Sequence, residues 1–223
     1  MEYVNDAVAG MAKTWRNKDT TKTMTLEEIK YFGNLALQVP SKQSNKYFEV
    51  VAISNQDVIT SLYEISAPPD SDGKSANILK NSQIFGSMIL VYVTCPLDLG
   101  YQQGPADTKI SIPYLENAED NDDEITCDTH QAIGISAGTV AYEANRQGFV
   151  TGFCRCYESQ KALDIIHKHV GSESNISNNL DKHWPELILS IGYPKFAHRH
   201  KHQHLNSMYK EHKKTKRILH IVT

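Results

Sequence analysis

Apolar side chains recur along this chain in two rhythms, one helical and one nearly continuous, and their succession predicts the architecture. Over residues 25–39 the helical rhythm dominates, with Ile29, Phe32, Ala36 and Val39 on one face. Thr25 stands where an N-cap belongs and Glu28 follows at the capping-box position. Pro40 and the polar run Ser41–Lys46 end that helix. Phe48–Ile53 has strand composition, and Val58, Leu62 and Ile65 predict a short helix after Ser54–Gln56. Met88–Thr94 is almost wholly apolar, the pattern of a strand covered on both faces.

The second half continues in the same manner. Residues 129–147 predict a helix with Ile133, Ala137, Val140, Ala141 and Ala144 on one face, and Gly148 suits its C′ stop. Gly134, Ser136, Ala137, Gly138 and Ala141 are small enough to let another backbone approach closely. Since each helical glycine costs roughly 1 kcal/mol, two of them imply a packing role. A helix over 159–170, a buried strand over 186–191 ending at Gly192-Tyr193-Pro194, and a last strand over 217–222 complete the pattern. Residues 68–75 read as a loop, and 101–123 as a long irregular excursion. Without a regular βαβ rhythm, the class is α+β.

Composition bounds the picture. The 223 residues suit one domain, 1–223, with a basic, His-rich C-terminal extension at 195–217. A net charge of −3 argues against the whole molecule as a nucleic-acid binder. The charge is uneven: 116–124 holds six acidic residues and no basic one, while 195–217 holds eight Lys or Arg, five His and one acid. A basic-tail nucleic-acid contact is accordingly a minor alternative. The acidic run lacks the alternating ligands and central glycine of a calcium loop and reads as exposed. No stretch is apolar enough for a membrane helix and no secretory signal opens the chain. Cys95, Cys127, Cys154 and Cys156 form neither a zinc spacing nor a disulfide framework, so reduced thiols in a cytoplasmic protein are expected. Cys154 and Cys156 read as two small residues on one face rather than a redox pair.

Three blocks together resemble the FMN-dependent nitroreductase family. The first is Thr25-Leu26-Glu27-Glu28, then Pro40-Ser41-Lys42-Gln43-Ser44, then Phe48-Glu49-Val50-Val51, similar to a capped helix, a Pro-Ser-x-x-Asn turn and an apolar strand. Ser44, Lys46 and Phe48 replace the family's Asn, Gln and Trp. The second is the small-residue helix running through Gly148-Phe149 into Val150-Thr151-Gly152-Phe153-Cys154-Arg155-Cys156-Tyr157. The third is the apolar strand ending in Gly192-Tyr193-Pro194. The resemblance covers about 12–194, with a poor match over 96–127.

The resemblance implies a central, mostly antiparallel sheet flanked by helices, and an intertwined homodimer with FMN between subunits and the small-residue helix at the interface. It also implies oxidation of NADH or NADPH and reduction of a nitroaromatic, quinone or similar small-molecule acceptor, by hydride transfer that works mainly through positioning. FMN's phosphate needs cations and hydroxyl or N–H donors. The family's Arg-x-Ser-x-Arg/Lys run falls on Ala12 to Arg16, so Thr14 and Arg16 match, Lys13 stands beside the replaced first Arg, and solvation of a short N-terminal helix is the other reading of these cations. Backbone N–H groups at Arg155 and Cys156, where the family has Glu-Gly, correspond to the contact with flavin N5. Ser41, Gln43 and Ser44 correspond to the flavin edge, or else are loop residues bonding their own backbone.

The His198-Arg199-His200-Lys201-His202-Gln203-His204 segment places four histidines on one strand face, a conceivable chelate opposed by the interleaved cations. A solvated basic loop is the default. Arg199 and Lys201 lie where the family's last phosphate cations arise. The substitutions at Ala12, Ser44, Arg155 and Cys156 keep open an alternative: a nitroreductase-like fold with a degraded flavin site, serving as a binding or interaction protein.

Overall fold

The computed structural model describes residues 15–41, 47–66, 81–94, 121–169 and 184–195, the first six residues of the third helix by backbone alone. In chain order these form β1 (Lys18–Asp19), α1 (Leu26–Leu37), β2 (Phe48–Ile53), α2 (Gln56–Glu64), a 3-10 turn (Ser82–Ile84), β3 (Met88–Thr94), α3 (Asn121–Arg146), β4 (Val150–Cys154), α4 (Ser159–His167) and β5 (Pro185–Pro194).

Local chemistry explains the helix ends. Thr25 Oγ1 accepts from the Glu28 amide at 3.2 Å, and Glu28 Oε2 accepts from the Thr25 amide at 2.7 Å, the capping box expected from sequence. Asn55 caps α2 by accepting from the amides of Asp57 and Val58 at 2.9 and 3.3 Å. Gly148 adopts φ 86°, which only glycine takes at little cost, and closes α3. Its amide donates to Asn145 O at 3.1 Å and that of Phe149 donates to Ala144 O at 2.9 Å, a Schellman pair.

The sheet has five strands in the order β1-β5-β3-β2, with β4 paired to β5 as well. Every pairing among them is antiparallel. The α+β, antiparallel expectation therefore holds. β3 divides its side chains between two cores by strand alternation. Met88, Leu90 and Tyr92 pack with Phe32 and Ala36 of α1 and with Val140, Ala141 and Ala144 of α3. Ile89, Val91 and Val93 pack with Val58, Ile59 and Leu62 of α2 and with Ala162 and Ile166 of α4. Helices thus cover both faces of the sheet. Tyr92 and Ser136 join α3 to the first core: Ser136 Oγ lies 2.7 Å from Ala36 O, to which it donates, and 3.2 Å from the Tyr92 hydroxyl.

Some boundaries differ from the sequence reading. α3 begins at Asn121, well before residue 129, so the end of the expected irregular excursion is helical. β5 runs through Gly192-Tyr193-Pro194 rather than stopping before it, because β1 and β4 supply partners there: Asp19 pairs with Tyr193 and Val150 with Gly192. α4 ends at His167. The loop at 68–75 and the strand at 217–222 lie outside the described residues. Among the described residues, no helix is long and apolar enough to cross a membrane.

Candidate functional site

Two corners of the sheet carry the candidate cations. The first is built where the segment before β1 meets β4 and β5. The Trp15 amide donates to Thr151 O at 3.0 Å, and the Lys195 amide donates to Asn17 O at 3.3 Å. Between these ties lies Arg16. The Gln83 amide, oriented to satisfy both neighbours, accepts from the Arg16 guanidinium and donates to Phe153 O.

Lys18 turns inward beside it and is only 4% exposed. Its Nζ donates to Trp15 O at 2.9 Å and to Gln83 O at 3.2 Å. Ser190 Oγ also donates to Gln83 O, and lies 3.2 Å from Gly152 O. Glycine makes this room: a Cβ on Gly152 would stand 2.7 Å from Gln83 O and 2.9 Å from Lys18 Nζ. Burial, with the Arg16 charge adding to it, lowers the Lys18 amine to about 7. The Trp15 indole N–H is buried here without a partner among the described residues.

The second corner follows β4. Arg155 Nη2 lies 2.6 Å from Glu186 Oε2, and His130 Nε2 lies 3.4 Å from the same oxygen. The Arg155 side chain is 63% exposed and that of Glu186 13%. The Cys156 amide donates to Cys154 Sγ at 3.4 Å, and Asn81 Nδ2 donates to the same sulfur at 3.1 Å. Cys154 is buried and Cys156 exposed. This corrects the expectation that the two thiols share one face: β4 ends at Cys154, and beyond it the chain leaves the two-residue strand alternation. Burial pushes the Cys154 thiol up to about 11, which keeps it protonated and unreactive at neutral pH. The Tyr157 hydroxyl donates to Pro185 O at 3.1 Å and ties the loop back to β5.

The structure therefore places Arg16 at the first corner and Arg155 with Cys156 at the second. Ser41 is half-buried just beyond α1 and Pro40, following a helix packed on the first core. Lys18 occupies the other face of the sheet, over the β4–β5 positions that alternate with that core. Lys13, Thr14, Gln43, Ser44, Arg199 and Lys201 lie outside the described residues. Sequence reasoning passed over Lys18 and Gln83. A lysine between Asn17 and Asp19 carries no apolar pattern to mark it as buried, and Gln83 sits in a short polar run with no motif. Only the long-range packing of β1 on β4 and β5 brings them together.

The first corner gathers groups suited to an anionic ligand. A phosphate dianion, for example, needs cations and N–H donors, and here Arg16 lies beside buried Lys18, on which no carboxylate among the described residues acts. At the second corner, the Cys156 amide is already directed at the Cys154 sulfur.

No protein-family model and no curated protein matches the chain. Solved structures do. A candidate NAD(P)H:FMN oxidoreductase from Staphylococcus epidermidis superposes with a TM-score of 0.60 at 14% identity, over 93% of this chain and 95% of that one. The chain has the nitroreductase fold. A candidate nitroreductase from Exiguobacterium sibiricum in complex with FMN gives 0.60 at 15% identity, over 87% of this chain and 90% of its own. Nitroreductase A from Vibrio parahaemolyticus gives 0.57 at 10% identity, over 88% and 70% respectively. At such identities the likeness carries the fold and leaves the residues of the site to be argued from this chain's own chemistry.

Proposed function

We propose that this protein is an FMN-dependent oxidoreductase of the cytoplasm, taking hydride from NADH or NADPH and delivering it to a nitroaromatic, quinone or similar small acceptor. The observation that carries the reading is the first corner: Arg16, singled out from sequence as a phosphate cation, stands beside buried Lys18 at a junction of three strands. Solved structures of the same fold include an FMN complex, which supports the same choice of cofactor.

In this reading Arg16 holds the phosphate together with Lys13, Thr14, Arg199 and Lys201. The Arg155 amide faces the ring, that of Cys156 joins it only on leaving the Cys154 sulfur, and Ser41, Gln43 and Ser44 border its edge. The flavin, when bound, supplies the two-electron chemistry; the chain's share is to bind, orient and exclude water. The Arg155–Glu186 pair fixes the loop beyond β4 without supplying charge to the ring.

A homodimer belongs to the same proposal. Gly134 and Gly138 of α3 have open space where a Cβ would stand, and Ile135 between them is 47% exposed. The outer face of α3 is therefore shaped for close approach by a second copy. A site between subunits would also draw Ser41 and Arg16, on opposite faces of one sheet, from different chains.

Titration with FMN, followed by quenching of flavin fluorescence and by NAD(P)H oxidation in the presence of a nitroaromatic, tests the proposal. Quenching with turnover supports it. One specific observation favours a second reading, a fold retained as a binding module: the Cys156 amide is engaged by Cys154. Colourless, dimeric protein indifferent to FMN would favour that reading and overturn the first.

A further inference from the structure

Among the described residues Lys18 is the only buried lysine. Burying an ammonium is costly unless charge balances it. Its neighbours are carbonyl oxygens, those of Trp15 and Gln83, rather than a carboxylate. Among the described residues, the groups packed around it supply no balancing carboxylate. From its own segment come Arg16, a second positive charge, and Asp19, whose carboxylate accepts from the Thr21 hydroxyl at 2.6 Å and lies 3.9 Å from Lys22 Nζ.

The 3-10 turn Ser82–Ile84 contributes no titratable side chain. β4 offers only the Cys154 thiol, which is neutral. The stretch of β5 beside Lys18 offers Tyr193, whose hydroxyl is held above its ordinary range mainly by burial. Two like charges thus share one anchor, Gln83: Arg16 on its side chain and Lys18 on its carbonyl.

We infer that Lys18 is a buried counter-charge for a phosphate-bearing ligand held at Arg16, and that binding of that ligand draws a proton onto Lys18. The inference rests on the flavin reading above and adds to it a residue outside the resemblance. Lys18 does not touch the phosphate. Two of its N–H donors go to the carbonyls of Trp15 and Gln83, so it acts through the field it adds behind Arg16 and is a positioning residue.

The coupling has a definite sign. In the free protein the amine loses its proton near neutrality. A dianion nearby favours the charged form, so the bound state holds more protons than the free state above about pH 7. FMN affinity must then fall as pH rises from about 7 to about 9, a range in which the phosphate itself is already dianionic.

The test uses the full chain. FMN and riboflavin are titrated by fluorescence quenching at about pH 7, 8 and 9, and FMN binding near pH 8 is repeated by calorimetry in two buffers of different ionisation enthalpy. The expected result is an FMN affinity falling about three- to tenfold across the range, net proton uptake on binding, and riboflavin affinity that does not change. Lys18→Met should bind FMN more weakly near pH 7, without pH dependence and without proton uptake. Lys18→Arg, whose charge does not titrate here, should restore affinity with a flat profile. The calorimetry on unaltered protein decides the matter even if neither variant folds. FMN binding with no proton uptake overturns the inference and leaves the flavin reading standing. Failure to bind FMN at any pH overturns both.

Discussion

The two cationic corners of the sheet are opposites in physical design. Arg155 is mostly exposed and sits 2.6 Å from Glu186, a pair complete without any ligand. Lys18 is buried, bonded among the described residues to two carbonyls, and stands next to another cation. An exposed, paired charge contributes little to stability and has nothing left to offer a ligand. A buried, unbalanced charge lowers the stability of the free protein and is relieved when an anion arrives. Similar residue types can therefore have different uses, and burial with pairing decides which.

The strongest way to break the contrast is to fill the first corner. Gly152→Val would drive a side chain against Gln83 O, Lys18 Nζ and Trp15 O, all within 3.0 Å of where its Cβ must stand. Two of these are backbone and cannot step aside, so a loss of about 3 kcal/mol is expected in urea unfolding. A value below about 1 kcal/mol would mean that the corner is loosely packed.

Next in size is the pH dependence of stability. Burial, with the Arg16 charge adding to it, lowers the Lys18 amine in the folded chain to about 7 from its ordinary 10.5. Between those values the unfolded chain holds more protons, so this residue makes stability rise with pH, its full penalty being present below about pH 7. From about pH 7 to about pH 9 the wild type should gain about 2 kcal/mol relative to Lys18→Met. Parallel stability curves for the two proteins would place the charge in solvent.

A paired carboxylate stabilises the fold where buried Lys18 destabilises it, although it too makes stability rise with pH. Glu143 is held at about 2 rather than 4.5, chiefly by hydrogen bonds from Arg146, with Gln147 and Tyr31 adding to them. Its contribution is present above the unfolded value and is lost as pH falls toward 2. Glu143→Gln should cost about 1 kcal/mol at neutral pH and flatten the acid limb of stability. The smallest effect belongs to Arg155→Ala, about 0.5 kcal/mol or less, because the pair is exposed and His130 remains beside Glu186.

Much of the fold was legible in the sequence because it is written locally. The Thr25–Glu28 box, the apolar run of β3 and the Gly148 stop each depend on residues a few positions apart, and each appears where expected. The candidate site was legible only in part. Arg16 and Arg155 could be singled out by register with a known pattern, whereas Lys18 and Gln83 lie 65 positions apart and meet only through strand pairing. Nothing in the residues around Lys18 distinguishes it from an ordinary surface lysine. The β1 strand that buries it has two residues, too few for a periodic signal.

The central claim is that Arg16, at the corner made by β1, β4 and β5, holds the phosphate of a flavin nucleotide. The ratio of FMN to riboflavin affinity, measured by fluorescence quenching in the wild type and in Arg16→Ala, tests it most directly. A charge-assisted contact to phosphate is worth about 1.5–3 kcal/mol, about ten- to a hundredfold in affinity. The wild type should prefer FMN by at least that factor, and the variant should lose most of the preference while binding riboflavin as before. Equal affinities for the two flavins in the wild type, or a preference that survives in Arg16→Ala, would contradict the account.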